Sequence, residues 1–295
     1  MSRKFAHLDH DYLRGPSPAI WKTIPDGMAD LGYGGLHIFY DFLDKENLTT
    51  QSAGALTSNG MFECYADAAE TIASGTAVTV TDPSGLTAAT DDAAAGYDVD
   101  TDYHIGTWTL ACTGTNGECG IHGQNIVNSY YLGLRKLAFE ARFALSSVTN
   151  SVPGVFVGLS NIQPDGSALV DSTGEIEASA AALGFSVLDA DGDALRPTIS
   201  ENGGTITRYG TAALTAAKYI KAGFIIDPQA APSKRGKFFI NGVEQTTYLT
   251  QAIIEGANFP SGSSMGFTAL AKATGATDFT LTLDWFKLFA EVDCV

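Results

Sequence analysis

The chain has 295 residues, 45% of them hydrophobic and 17% charged, with 16 Phe, 11 Tyr and 3 Trp, which suits a large folded core and excludes a disordered chain. Seventeen Lys and Arg against 33 Asp and Glu give a net charge of −16, which argues against nucleic acid as a partner, because its phosphates demand basic side chains. No run approaches the roughly 18 apolar residues of a membrane span, and the start "MSRKFAHLDHDYL" lacks the apolar segment of a secretory leader, so neither is expected.

Residues 1–40 read as an extended N-terminal arm. "RGPSPAIWKTIPDGMADLGYGG" follows neither the helical nor the strand period, and Pro16, Pro18 and Pro25 favour extended chain at the residues before them. Ile20, Trp21, Ile24 and Met28 are too apolar for a solvated tail. The arm must therefore lie on something, either its own sandwich or a neighbouring subunit. His7 and His10 stand near Asp9 and Asp11; "HLDHD" reads as a metal-collecting cluster or as a polar start to the arm.

From "HIFYDFLD" onward the pattern is that of β-structure. Between Lys45 and Arg135 no Lys or Arg occurs while acidic residues accumulate, and residues 66–107 predict short strands joined by exposed loops. "DAAETIAS" and "YGTAALTAAK" are short helical candidates of poor amphipathicity. Cys112 and Cys119 bracket a turn-like "TGTNGE", so their ends can lie side by side as a disulfide or as two free thiols; the spacing of the four cysteines matches no zinc pattern. "KLAFEARFAL" alternates strictly, with Leu137, Phe139, Ala141, Phe143 and Leu145 on one face and Ala138, Glu140, Arg142 and Ala144 on the other. "VPGVFVGLS" predicts a strand buried on both faces. "ALGFSVL" turns Leu183, Phe185 and Val187 inward, and "YIKAGFIID" does the same with Ile220, Ala222, Phe224 and Ile226. Asn241-Gly242 in "GKFFINGVEQ" marks a hairpin, since both residues accept positive φ. In "DFTLTLDWFKLFAEV", Phe279, Leu281, Leu283 and Trp285 share a face before Phe286 and Leu288 take over, which predicts a bulge at Trp285/Phe286. Many short strands with turn signals between them describe an all-β, two-sheet sandwich or jelly roll over residues 41–295.

"LDADGDALRP" sets Asp189, Asp191 and Asp193 at alternate positions, as calcium ligands or as the tip of a hairpin. The glycine falls out of register for an EF-hand, with Gly192 between the second and third aspartates and Ser200 at position twelve, so a hairpin tip is expected with at most a weak calcium site. A retaining glycosidase needs paired carboxylates on one strand face; Glu175 and Glu177 in "GEIEAS" lack the third acidic position and read as an exposed loop. "SGSSMG" has neither the spacing nor the context of a nucleophile elbow, and no phosphate-binding glycine loop occurs. His122 lies between glycines in "GIHGQN", as in a turn or a ligand site. Neither an enzyme nor a cofactor is expected.

The succession "KLAFEARFAL", "GVFVGL", "LGFSVLDADGDAL", "YIKAGFIIDP", "GKFFINGVEQ" and "TLTLDWFKLFAEV" resembles the concanavalin A-like (laminin G-like) jelly-roll domains of bacteriophage virion proteins, and "GPSPAIW" and "YDFLD" are similar to the N-terminal part of phage head proteins carrying that domain. The resemblance implies a capsid decoration or cement protein on the virion surface that binds the major capsid protein. It would form a dimer or trimer, with Pro16, Pro18, Ile20, Trp21, Ile24 and Met28 of the arm laid across adjacent subunits. The alternative is a carbohydrate-binding module of a fibre or tail, for which Trp108, Tyr130, Tyr131 and Tyr209 are the candidate sugar contacts.

Overall fold

The computed structural model describes residues 15–22, 24, 35–40, 57–59, 62–66, 71–74, 107–114, 116–123, 135–162, 164, 167–261 and 263–291. Two antiparallel sheets form a jelly-roll sandwich. Sheet A runs in spatial order β15 (Val243–Leu249), β14 (Gly236–Ile240), β13 (Ile220–Ile226), β7 (Leu137–Leu145), β17 (Phe279–Glu291), β5 (Trp108–Cys112) and β4 (Thr71–Ser74). A further strand, β1 (Gly35–Tyr40), pairs with the second half of β17, on the edge whose first half is taken by β5. Sheet B runs β11 (Thr207–Arg208), β10 (Ala194–Ser200), β9 (Ala182–Val187), β8 (Pro153–Ser160), β16 (Gly266–Ala273), β6 (Glu118–Gly123), β3 (Phe62–Ala66) and β2 (Thr57–Asn59), with β12 (Ala212–Ala213) also pairing with β10.

The strict alternation of β7 is realised as expected. Leu137, Phe139, Ala141, Phe143 and Leu145 enter the core between the sheets, joined by Leu183, Phe185 and Val187 from β9 and Ile220, Ala222, Phe224 and Ile226 from β13. The rings of Phe267 (β16) and Phe286 (β17) lie parallel with centroids 4.0 Å apart, tying one sheet to the other at the centre. β8 is buried throughout, as its continuous apolar run requires. Asn241 and Gly242 hold φ of 49° and 76° at the tip of the β14–β15 hairpin.

Several expectations need correction. The register of β17 slips between Leu283 and Trp285, one residue before the expected place, so Asp284 is the extra residue. Phe279, Leu281 and Leu283 and then Phe286, Leu288 and Ala290 face the core, while Trp285 turns to the outer face. The arm is neither wholly extended nor 40 residues long. Gly35–Tyr40 belongs to sheet A, and Pro18–Trp21 forms a one-turn helix, α1, with Pro18 in its first turn, where a missing N–H costs nothing. The candidate helix "DAAETIAS" contains β4, and "YGTAALTAAK" contains β12 and a turn. A second one-turn helix, α2 (Gln251–Ile254), carried no periodic signal; Thr250 caps it by accepting the Ile253 N–H.

Both sheets are covered on their outer faces as well. Over sheet B, Ile162, Ala168, Leu169, Ile176 and Ala180 pack on Phe156 and Leu270. Lys272, buried in that layer, pairs with Glu118 at 3.0 Å and Asp171 at 2.5 Å and donates to the Leu169 carbonyl at 2.7 Å. Over sheet A, Ile20, Trp21 and Ile24 pack on Ala138, Ile225, Phe239 and Phe289.

Candidate functional site: an aromatic hollow beside the N-terminal strap

The segment 15–24 is a strap held on the outer face of sheet A by one carboxylate. Glu140, fully buried on β7, accepts the Ser17 backbone N–H at 2.8 Å and the Trp21 Nε1–H at 2.7 Å through the same Oε2. Lys221 on β13 donates to the Gly15 carbonyl at 3.1 Å. Burial pushes the Glu140 carboxyl above its ordinary range, against the pull of the Ser17 and Trp21 donors and the charge of Lys221. The strap crosses β13 at Gly223, where a Cβ would stand 2.6 Å from Cδ1 of Ile20. Only glycine lets the strap lie so close.

Trp21 is thereby fixed against β1 and β17. In β1, Leu36, Ile38 and Tyr40 pack on the core, so His37 and Phe39 face outward by the period of two. His37 pairs in register with Phe289, and Phe39 with Lys287. The His37 ring stacks on Trp21 at 6.0 Å with its plane tilted 10°, and Phe39 meets Trp285 at 6.1 Å. The Lys287 ammonium lies 4.4 Å from the centre of the Trp21 ring, a cation–π distance. Pro16, His37, Phe39 and Lys287 line an open hollow of about 410 Å³. Phe39 is 52% exposed, so its ring is available to a ligand, whereas Trp21 and Trp285 are buried behind the lining, against His37 and Phe39. The hollow can stack against a flat apolar surface and offer hydrogen bonds from an ammonium and an imidazole.

The residues singled out in the sequence are placed as follows. Ile20, Trp21 and Ile24 pack on the chain's own sandwich, the first of the two alternatives; Pro16 and Pro18 are half-buried in the strap, and Met28 lies outside the described residues. Trp108 is not a surface platform: it is 1% exposed in the core against Phe62 and Tyr40. Tyr130 and Tyr131 lie outside the described residues. Tyr209 is half-buried, its ring stacked on Phe238, beside a small groove with Thr211, Gln245 and Thr247. The structure does not bring it together with Trp108 or with the hollow.

Asp189, Asp191 and Asp193 sit in the connection of the antiparallel β9–β10 pair, as the hairpin reading expected. The connection is built as a 3₁₀ turn, Asp189–Asp191, with Gly192 in right-handed conformation at φ −58°. Asp191 pairs with Arg196 at 2.6 Å. No cluster of three or more His, Cys, Asp or Glu side chains suited to a metal occurs among the described residues. Glu175 is paired with Arg208 and half-buried rather than free in an exposed loop. His122 lies in strand β6, buried, with Nδ1 2.9 Å from the Thr268 hydroxyl. Cys112 and Cys119 are unbridged in the core, with their sulfurs 3.1 Å apart. His7 and His10 lie outside the described residues.

Sequence reasoning missed His37, Phe39 and Lys287. The signal was present in "GLHIFY", whose alternation leaves a histidine and a phenylalanine on the face opposite Leu36, Ile38 and Tyr40.

No protein-family profile matches the chain, and no curated protein matches it in sequence. Among solved structures, a protein of unknown function from Shewanella oneidensis MR-1 is similar over 92% of this chain and 95% of its own, at 13% identity and a TM-score of 0.52. A carbohydrate esterase from the Shiga toxin-encoding bacteriophage phi24B is similar over 63% of this chain and 82% of its own, at 15% identity and a TM-score of 0.40. The Emp46p carbohydrate recognition domain covers 62% of this chain and 82% of its own, at 13% identity and a TM-score of 0.43. The likeness to the Shewanella protein is one of fold: this chain is a member of the two-sheet sandwich class.

Proposed function

We propose that the chain is a non-catalytic recognition protein whose aromatic hollow binds carbohydrate. The observation that carries this reading is the half-exposed Phe39 ring, held on a core-packed strand and flanked by His37 and Lys287. The apolar face of a sugar ring stacks on an aromatic side chain, and its hydroxyls accept hydrogen bonds from neighbouring donors. A phenyl group with two rotatable bonds, on a packed strand, loses little entropy when it does so. Glu140, the cross-strand partner of Lys287, anchors the strap through one oxygen, Oε2, shared by the Ser17 and Trp21 donors. The test is binding of an oligosaccharide panel to the full chain and to Phe39→Ala. Loss of a stacking ring is expected to weaken binding about ten-fold or more, equivalent to about 1.4 kcal/mol. Failure of every glycan to bind, or an undiminished Phe39→Ala, overturns the reading.

A second reading places the protein on a phage particle, docked on the major capsid protein as a decoration protein. Phe39, Val170 and Val243 favour it, as large apolar side chains exposed among the described residues. Contact would then run through the Phe39 hollow, since Ile20, Trp21 and Ile24 face inward. Measuring the occupancy of Phe39→Ala on purified shells separates this reading from the first.

A further inference from the structure

Helix α1 stands between two depressions of the outer face of sheet A. Pro16 rims the aromatic hollow on the β1–β17 side, and Ala19 borders a cleft of about 210 Å³ on the β13–β14 side. The apolar floor of that cleft is Ile225 and Phe239, the same residues that seat the strap. Its walls are charged: Lys136, Lys234, Arg235 and Lys237 face Asp227 and Glu244. Four of the 17 cationic side chains of a protein with net charge −16 thus meet two carboxylates, leaving two positive charges in excess in the lining.

The pairing inside the cleft is loose. Lys136 stands 3.3 Å from Asp227 and Lys237 3.0 Å from Glu244, all partly exposed. Solvated pairs of this kind contribute about 0–1 kcal/mol each, so an incoming anion competes for these lysines at small cost. Arg235 touches the exposed Glu255 just outside the lining at 3.4 Å, while its Nε–H is buried without a hydrogen-bond partner. Lys234, on the exposed surface, lies 4.4 Å from the centre of the Tyr248 ring and donates to its hydroxyl at 3.4 Å. The lysines are point charges, and the guanidinium adds a planar fork suited to an oxyanion.

We propose that this cleft binds a carboxylate or sulfate group, and hence that the ligand of the hollow is an acidic polysaccharide. The inference rests on the carbohydrate reading of the hollow and adds the ligand class. From β1 across β17, β7 and β13 to β14 there are four strand spacings, about 19 Å at about 4.8 Å each. That span suits an oligosaccharide passing over the strap rather than a single sugar.

The test compares neutral, uronate-bearing and sulfated oligosaccharides of equal length, with inorganic sulfate as a further probe, by calorimetric titration of the full chain at low salt. Acidic oligosaccharides are expected to bind at least ten-fold more tightly than neutral ones, and the preferred of the two names the anion. The Lys234→Gln/Lys237→Gln double variant is expected to abolish the preference while keeping the affinity for neutral chains. Glu244→Gln, which removes an opposing carboxylate, is expected to increase it. Equal binding of neutral and acidic chains, a preference that survives the double variant, or binding of inorganic sulfate alone overturns the inference. If Phe39→Ala abolishes binding while the double variant does not alter the preference, the carbohydrate reading stands and the anion cleft falls. If no oligosaccharide binds, both fall.

Discussion

Glu140 shows how a residue's role is decided by what lies on top of it. In the alternation of β7 it belongs to the face away from the core, the place of a solvated carboxylate. Segment 15–24, more than a hundred residues earlier in the chain, buries it. No local pattern encodes that encounter, and so the anchoring role of Glu140 was not legible. Its raised pKa has a definite sign in stability. A carboxyl that binds its proton more tightly in the folded state supplies stability below its unfolded pKa, near the ordinary 4.5, and loses it as pH rises through the folded value. Glu140→Gln keeps an acceptor for Ser17 and Trp21 and cannot ionise. Its melting temperature relative to the parent is therefore expected to rise as pH goes from 4 to 8. Glu140→Leu, which leaves the two donors unpaired, is expected to lose about 1–3 kcal/mol for each at low pH, with the loss relative to the parent shrinking as pH rises. A pH-independent difference between the parent and Glu140→Gln would show that the carboxyl titrates normally.

Among elements, the strands were the legible part and the strap was not. Period-two alternation is imposed by the geometry of the pleat, so β7, β9 and β13 could be read with their faces assigned. The Asn241-Gly242 turn was legible for an equally local reason, two adjacent residues that tolerate positive φ. The bulge was placed one residue late because Trp285 is as apolar as a core residue, yet its indole faces outward, against Phe39. Burial on both sides of the sheet defeats a simple inside–outside reading. The strap also touches the hairpin: a Cβ on Gly242 would stand 3.1 Å from the Ser17 hydroxyl. Gly242→Ala is thus expected to cost about 1–2 kcal/mol, from the left-handed φ and the push on Ser17 together. Chemical denaturation checks this, and a neutral result would mean that the turn relaxes without disturbing the strap.

At the scale of the molecule, the net charge of −16 is the feature most directly read from the sequence, and it predicts self-repulsion in the folded state. Raising monovalent salt from 10 to 200 mM shortens the Debye length from about 30 Å to under 10 Å. The melting temperature of the full chain is expected to rise by a few degrees over that range. A fall would mean that favourable ion pairs, such as those around the basic cleft, dominate the charge balance. The candidate site itself was only partly legible. Its members come from the strap, from β1 and from β17, and only the sheet's pairing brings them together.

That pairing also governs how the protein is made. Gly35 finds its partner in Glu291, so among the described strands β1 has no neighbour in sheet A until β17 has been synthesised. At about 5–20 residues per second on the ribosome, the wait is about 13–50 seconds. The final fitting of β17 completes the bed for Trp21 as well, through Lys287 and Phe289. The nascent chain therefore carries an apolar segment and an unpaired β1 until β17 emerges, and Ile20, Trp21 and Ile24 are surface that a chaperone can hold until then.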